Sequence, residues 1–197
     1  MLPYYKNKSE LRSAAKLEVK TISPEQKSSR SALIFKNILN SELIKDAKVV
    51  ALYASLPDEV CTADIITALH SQKEILLPRV AGDEMDFYRY SPAEMSIGAF
   101  GISEPQAHDA VAPSDIDVII VPGVAFTKNG KRCGRGKGYY DKYLSREGFR
   151  ATKIGVCFAE QIAEDILSEP HDIIWIVLFV TKNYYLCHIK RRVWRLF

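Results

Sequence analysis

Lys48-Val-Val-Ala-Leu-Tyr-Ala54 places apolar side chains at consecutive positions rather than at every second one. A strand with one wet face alternates in polarity. A run without alternation belongs to a strand covered on both faces, as in the centre of a parallel sheet. Asp117 to Val121, Lys153 to Phe158 and Ile173 to Val180 read as further apolar strands. The last is strongly apolar but far shorter than the ~20 residues a membrane span needs, so it is a buried strand.

Helical signals fall between these strands. Leu11, Ala15, Val19 and Ile22 recur at spacings of four, four and three, one face of a helix from about Lys6 to Thr21. Ser23-Pro24-Glu25-Gln26 restarts the chain with a capping serine, a proline suited to the first helical position and a glutamine that completes a capping box. The helix it opens is predicted to carry Ala32, Phe35 and Leu39 on one face. Thr62 to His70 reads as a helix, Glu74 to Leu77 as a strand stopped by Pro78, and Met85 to Tyr90 as an alternating strand. Ser91 to Glu94 reads as a turn. No repeat or low-complexity linker divides the chain. With 197 residues, 47% hydrophobic and 26% charged, one globular domain with a sizeable core is expected.

Strand, crossover helix, strand implies an α/β fold, a mostly parallel sheet covered by helices on both faces. Ligands bind such sheets beyond the carboxyl ends of the strands. Four chemically distinctive segments follow directly on predicted strands: Ser55 to Val60, Pro78-Arg79, Pro122 onward and Ala159 onward. They should converge on one rim.

The segment after the third of these strands carries the chemistry. In Lys131-Arg-Cys-Gly-Arg-Gly-Lys-Gly-Tyr-Tyr-Asp141, glycines at 134, 136 and 138 alternate with Arg135 and Lys137. Glycines at every second position remove the Cβ atoms that would block close approach, so backbone N–H groups can point at one oxyanion. The interleaved cations add charge that backbone dipoles cannot supply. Gly138 onward reads as the start of a helix, whose N-terminus favours anions. This is a phosphate-holding loop. It is not the common nucleotide loop, because Gly136-Lys137 is followed by Gly138 where Ser or Thr is required. Nor is it the dinucleotide fingerprint, because Tyr139 stands where the third glycine belongs.

Here the chain resembles the 5-formyltetrahydrofolate cyclo-ligases, the methenyltetrahydrofolate synthetases. The resemblance is carried by Pro122-Gly-x-Ala-Phe126, Gly130, Arg132 and Gly134-Arg-Gly-Lys-Gly-Tyr-Tyr-Asp141. Upstream it includes Lys8-x-x-Leu11-Arg12, Ser23-Pro24-Glu25, Tyr53, Asp58-Glu59-Val60, Leu77-Pro78-Arg79 and Glu104-Pro105. Downstream it includes Gln161 and His171-Asp172. It extends to about residue 181, so the expected organisation is a domain over 1–181 followed by a basic, aromatic tail over 182–197. Cys133 stands where the family usually has leucine.

The resemblance implies an enzyme that joins the N5-formyl group of a reduced folate to N10 with ATP as co-substrate and Mg²⁺ as metal. Phosphoryl transfer of this kind is mostly positioning and charge neutralisation. Arg135 and Lys137, with the amides of Gly134, Gly136 and Gly138, would hold the γ-phosphate and the charge of the transition state. Arg132, Lys8 and Arg12 would hold the rest of the triphosphate, Lys8 and Arg12 sharing a helix face. Asp141 would share the magnesium ion with the phosphates, one carboxylate being sufficient, and the resemblance adds Asp172. Glu59 suits the amino-pyrimidine edge of a pterin, since a carboxylate accepts two parallel N–H bonds. Tyr139 and Tyr140 close the loop that meets the nucleotide, and Tyr139 is the expected folate contact through stacking or its hydroxyl.

Composition narrows the alternatives. A net charge of +3 suits small anionic ligands without requiring nucleic acid. Cys61, Cys133, Cys157 and Cys187 form no Cys-x-x-Cys pair and no metal spacing, which suits reduced thiols in the cytoplasm. Met1-Leu-Pro-Tyr-Tyr-Lys6 lacks an apolar signal core. A monomer is expected, with no membrane or nucleic-acid partner. Other classes would use the same loop differently. A sugar-phosphate isomerase or acyl-CoA transferase would need a carboxylate base and no ATP. A nucleic-acid module would join the loop to the tail Lys190-Arg-Arg-Val-Trp-Arg195 and bind with steep salt dependence.

Overall fold

The computed structural model describes residues 1–98, 101–169, 177–180 and 183–186. Elements are numbered in chain order. Strands β1 (Val49–Ala51), β2 (Glu74–Ala81), β6 (Val118–Val121), β9 (Thr152–Cys157) and β10 (Val177–Val180) run parallel in a seven-stranded sheet. Antiparallel strands close its edges, β3 (Glu84–Arg89) beside β2 and β11 (Asn183–Leu186) beside β10. The order is β11-β10-β9-β6-β1-β2-β3. Helices α2 (Pro24–Leu39), the short α3 (Glu42–Lys45) and α4 (Ala63–His70) cover one face, and α5 (Tyr139–Leu144) covers the other. The expected α/β architecture is the one observed.

Both faces of the central strands are buried, which explains their continuous apolar runs. Val50 and Leu52 of the β1 segment pack with Ile120, Ile154 and Val156 beneath Ile34, Phe35 and Ile38 of α2 and Ile65 and Leu69 of α4. Ala51, Leu76, Ile119 and Val121 point the other way, toward Phe87 and the α5 residues Tyr143 and Leu144. Helix α1 (Lys8–Lys20) joins the α2 side only near its end, through Val19. Its Leu11 and Ala15 pack on Val124, Ala125 and Cys133, beyond the carboxyl end of β6. Cys133 is fully buried there, acting as a small apolar side chain.

The capping box is formed as read. Ser23 accepts from the Gln26 amide, Gln26 accepts from the Ser23 amide, and Pro24 opens the helix. Its buried face, however, is Ser31, Ile34, Phe35 and Ile38, while Ala32 is exposed and Leu39 only partly covered. The apolar pattern missed Ser31 because its polarity is satisfied internally. Its hydroxyl donates to the Lys27 carbonyl at 2.7 Å and accepts the Cys61 amide at 3.0 Å.

Pro78 does not stop β2, which runs on to Ala81. The Ile75 carbonyl faces β3, accepting from the Tyr90 amide, while that of Leu76 faces β1, accepting from the Leu52 amide at 2.9 Å. Pro78, two residues on from Leu76, also faces the β1 side. The β1 register ends at the pair Ala51 and Leu76, so the missing N–H falls beyond the ladder. Two short hairpins also lie outside the predicted pattern: β4 (Met95–Ile97) with β5 (Ser103–Pro105), and β7 (Ala125–Phe126) with β8 (Arg132–Cys133). The first four residues of the strand predicted over Ile173 to Val180 lie outside the described residues, as do 187–197. No helix among the described residues is long and apolar enough to cross a membrane.

Chain order places the site. From β1 the chain passes through α4 to β2 on one side, whereas β6 pairs on the other side of β1. Loops leaving the carboxyl ends of β1 and β6 therefore diverge and leave a crevice between them.

Candidate active site

The β1 loop is closed by its own side chains. Tyr53 donates its hydroxyl to the Val60 carbonyl at 2.8 Å, and Thr62 donates to the Tyr53 carbonyl at 2.6 Å. Within it the Glu59 amide donates to the Leu56 carbonyl at 3.0 Å, while a Glu59 carboxylate oxygen accepts the Leu56 amide at 2.9 Å. This reciprocal turn fixes Asp58 and Glu59 at the crevice.

The β6 loop passes through the β7–β8 hairpin and returns as Gly134 to Gly138. Gly136 has φ 103° and Gly138 has φ 71°, a left-handed region that side-chain-bearing residues avoid. The two glycines turn the chain sharply into α5. Arg12 of α1 donates through Nε to the Gly134 carbonyl at 2.7 Å, and its guanidinium lies against Gly136. Packing of α1 on the loop's apolar underside thus delivers Lys8 and Arg12 to the glycine segment.

A cavity of about 370 Å³ opens between the two loops. Lys8, Arg12, Glu59, Arg132 and the whole run Gly134 to Asp141 line it, so every sequence-predicted site residue except Asp172 meets in one place. Asp172 lies outside the described residues. Pro78, Val80, Met85 and Ile102 add an apolar stretch of wall, with Ser103 and Glu104 beside them. Pro78 comes from a segment expected at this rim, whereas Val80, Met85 and Ile102 were not predicted, since such residues read as ordinary core in a sequence. Asp58 stands at the rim in contact with Arg135; its position in the Asp58-Glu59-Val60 motif is the only signal that could have singled it out.

The charges are already arranged. Arg132 is 7% exposed and donates to an Asp141 oxygen at 2.7 Å and to the Pro122 carbonyl at 3.3 Å. Asp141 lines the cavity, and its second oxygen makes no hydrogen bond among the described residues. Lys8 pairs with Glu169 at 2.7 Å. Arg135 reaches across the crevice: its Nε is 3.0 Å from a Glu59 oxygen, and its Nη2 contacts both Glu59, at 2.9 Å, and Asp58. Lys137 is exposed at the cavity and makes no hydrogen bond or ion pair among the described residues.

Two groups are tuned by burial. Loss of water raises the Glu59 carboxyl above its ordinary 4.5, against the pull of the Leu56 amide and Arg135. Burial, reinforced by the Glu59 charge, pushes the Tyr140 hydroxyl far up, so it stays a neutral donor. That hydroxyl is buried without a hydrogen-bond partner among the described residues, whereas Tyr139 donates to the Gly82 carbonyl at 3.2 Å. An orphan donor beside a buried carboxylate, in a cavity wall, is a position for a ligand's polar edge. No group of three or more His, Cys, Asp or Glu side chains among the described residues could hold a metal ion unaided. A magnesium ion that draws most of its oxygens from phosphate and water would need only the free oxygen of Asp141.

The model of the 5-formyltetrahydrofolate cyclo-ligase family matches residues 5–178. A 5-formyltetrahydrofolate cyclo-ligase of Mus musculus is 30% identical over 177 residues, 82% of this chain and 87% of its own length. The solved structure of Aquifex aeolicus 5,10-methenyltetrahydrofolate synthetase is 38% identical, with a TM-score of 0.85 over 93% of this chain and 94% of that one. The corresponding Mycoplasma pneumoniae protein is 27% identical, with a TM-score of 0.71 over 87% and 97%. Its sequence, its fold and the cation-rich glycine loop at the switch point agree, and the chain belongs to the 5-formyltetrahydrofolate cyclo-ligase family, a family of ligases.

Proposed function

We propose that the protein converts 5-formyltetrahydrofolate and ATP to 5,10-methenyltetrahydrofolate, ADP and phosphate in the cavity between the β1 and β6 loops. The observation that carries this reading is the meeting, in one cavity, of a glycine loop bearing Arg135 and Lys137 with a buried carboxylate, Glu59, and an apolar wall. The first two suit the two ends of the chemistry, and Pro78, Val80, Met85 and Ile102 suit the flat folate body between them. The formyl oxygen attacks the γ-phosphorus and ADP leaves; N10 then attacks the activated carbon, loses its proton, and phosphate departs. Arg135, Lys137 and the amides of Gly134, Gly136 and Gly138 hold the transferring phosphoryl group, and Lys8 and Arg12 hold the remaining phosphates. Arg132 fixes Asp141, which would hold magnesium together with phosphate oxygens; Asp172 is the second residue the family resemblance assigns to it. Bound there, the ion would neutralise phosphate charge. Tyr139 and Tyr140 flank the folate, Tyr140 with its free hydroxyl. The reading takes the protein as a cytoplasmic monomer, since the proposed chemistry calls on no residue of a second chain. An isomerase or transferase would turn over without ATP. Appearance of one ADP for each folate cyclised tests the reading; ADP release unlinked to folate would overturn it.

Glu59→Gln is expected to weaken 5-formyltetrahydrofolate binding by roughly ten- to a hundredfold without weakening nucleotide binding. A charge-assisted hydrogen bond contributes about 1.5–3 kcal/mol, and tenfold in affinity is about 1.4 kcal/mol. The substitution is not expected to lower the melting temperature. With its folded-state pKa raised, Glu59 adds stability only below its unfolded value and loses that contribution as pH rises through the folded one. At neutral pH the neutral side chain is the easier one to bury. Folate affinity should follow the opposite course and fall as acidification protonates Glu59, from above the ordinary glutamate range. Calorimetry of both ligands across pH checks both statements; a selective loss of nucleotide binding would move Glu59 to the other substrate.

Asp141→Asn is expected to raise the magnesium concentration needed for half-maximal turnover, with rate partly restored at high magnesium. Asparagine keeps one oxygen, which Arg132 or the metal can take, and loses the charge and the second oxygen. Magnesium titrations of the two proteins that superimpose would leave Asp141 as a partner of Arg132 alone.

A further inference from the structure

The cation assigned to the phosphates and the carboxylate assigned to the pterin are bonded to each other. Arg135 places Nε 3.0 Å and Nη2 2.9 Å from one Glu59 oxygen, and the Leu56 amide occupies the other at 2.9 Å. Glu59 in this state cannot offer two open oxygens to parallel N–H donors, since Arg135 covers one and the other keeps only the site that Leu56 leaves. Nη2 of Arg135 is also held by Asp58, a carboxylate the chemistry does not use. Asp58 is 31% exposed at its side chain against 8% for Glu59, so it sits at the rim, outside the pterin's place.

We propose that Asp58 is a positioning residue that parks Arg135 on Glu59, so that nucleotide and reduced folate each bind more tightly once the other has released this latch. The inference rests on the functional reading above. A triphosphate on the glycine loop draws Arg135 away and bares Glu59. A pterin edge on Glu59 displaces Arg135 toward the phosphates. Either ligand alone must open the latch, which reduces its apparent affinity by the fraction of protein already open. When both bind, the latch is opened once, and linkage makes the gain equal for the two ligands. Glu59, deprived of Arg135, would be left buried and charged, so the open state is poorly populated until a pterin supplies its N–H groups. The Asp58 carboxyl supports the parked state. Burial works to raise its pKa, yet the hydrogen bond and charge of Arg135 hold it below the ordinary range.

Asp58→Asn weakens the latch without touching either ligand. Each ligand should then bind more tightly alone, by a similar factor of several-fold, with affinity in the ternary complex unchanged. The wild-type coupling factor, expected on the order of tenfold, should fall to about threefold or less. Asp58→Glu, which keeps the charge, should retain the coupling. The experiment is calorimetry of 5-formyltetrahydrofolate and of a non-hydrolysable magnesium-ATP analogue, each alone and with the other saturating, on wild type, D58N and D58E. Independent binding in the wild type would remove the latch while leaving the proposed reaction standing. Weaker binding of both ligands to D58N with undiminished coupling would show that Asp58 merely supports the loop. Failure of the wild type to bind either ligand would overturn the functional reading itself, and the latch with it.

Discussion

Arg135→Ala and Lys137→Ala are each expected to lower kcat/KM by at least about tenfold, Lys137→Ala with thermal stability nearly unchanged and Arg135→Ala with some loss because Glu59 is left buried without its partner. Both side chains reach into the cavity from a glycine loop whose backbone, not these side chains, sets its shape. A hydrogen bond to a charged group contributes about 1.5–3 kcal/mol, and each ~1.4 kcal/mol is tenfold in rate. The loss exceeds tenfold if contact with the transferring phosphoryl group tightens in the transition state. The two variants should differ in one respect. Lys137 is unpaired among the described residues, so its removal costs only the ligand contact. Removal of Arg135 also frees Glu59 and should not weaken folate binding measured without nucleotide. Wild-type kinetics in both variants would remove the phosphate role of the loop.

Arg132→Ala should produce the largest loss of stability among the site variants, about 3 kcal/mol. Removing one member of a buried ion pair costs about 3–5 kcal/mol because the other is left without a partner. The lower end applies because the Asp141 side chain is 18% exposed and regains some water. In a chain of this size each kcal/mol corresponds to roughly 2–4 °C, so the melting temperature should fall by roughly 6–12 °C. The double variant Arg132→Ala with Asp141→Ala should recover part of it, since the orphaned charge is gone. A single variant melting with the wild type would show that the pair contributes nothing to the loop's position.

Elements whose cause is local could be read from the chain. The capping box at Ser23 and Gln26 acts within four residues, and the unalternating runs of β1 and β6 report burial on both faces of the sheet. Pro78 was misread because its effect depends on where β1 ends, a fact about a different strand. The hairpins of β4 with β5 and β7 with β8 are two or three residues a side and carry no period. In the site, the charged residues were legible because each lies in a dense motif. Their pairing was not. Arg135 and Glu59 are 76 residues apart, and only the switch point between β1 and β6 brings them together. The apolar wall was invisible for a simpler reason: Val80, Met85 and Ile102 carry no chemistry that separates a cavity lining from a core.

The most direct test mixes the protein with 5-formyltetrahydrofolate and magnesium-ATP and follows the absorbance of 5,10-methenyltetrahydrofolate. The account predicts that absorbance grows only when both substrates are present, that its rate falls at least about tenfold in Lys137→Ala, and that ADP appears in step with it. Absence of the methenyl product from folded, nucleotide-binding protein, or its formation at an equal rate without ATP, would contradict the account.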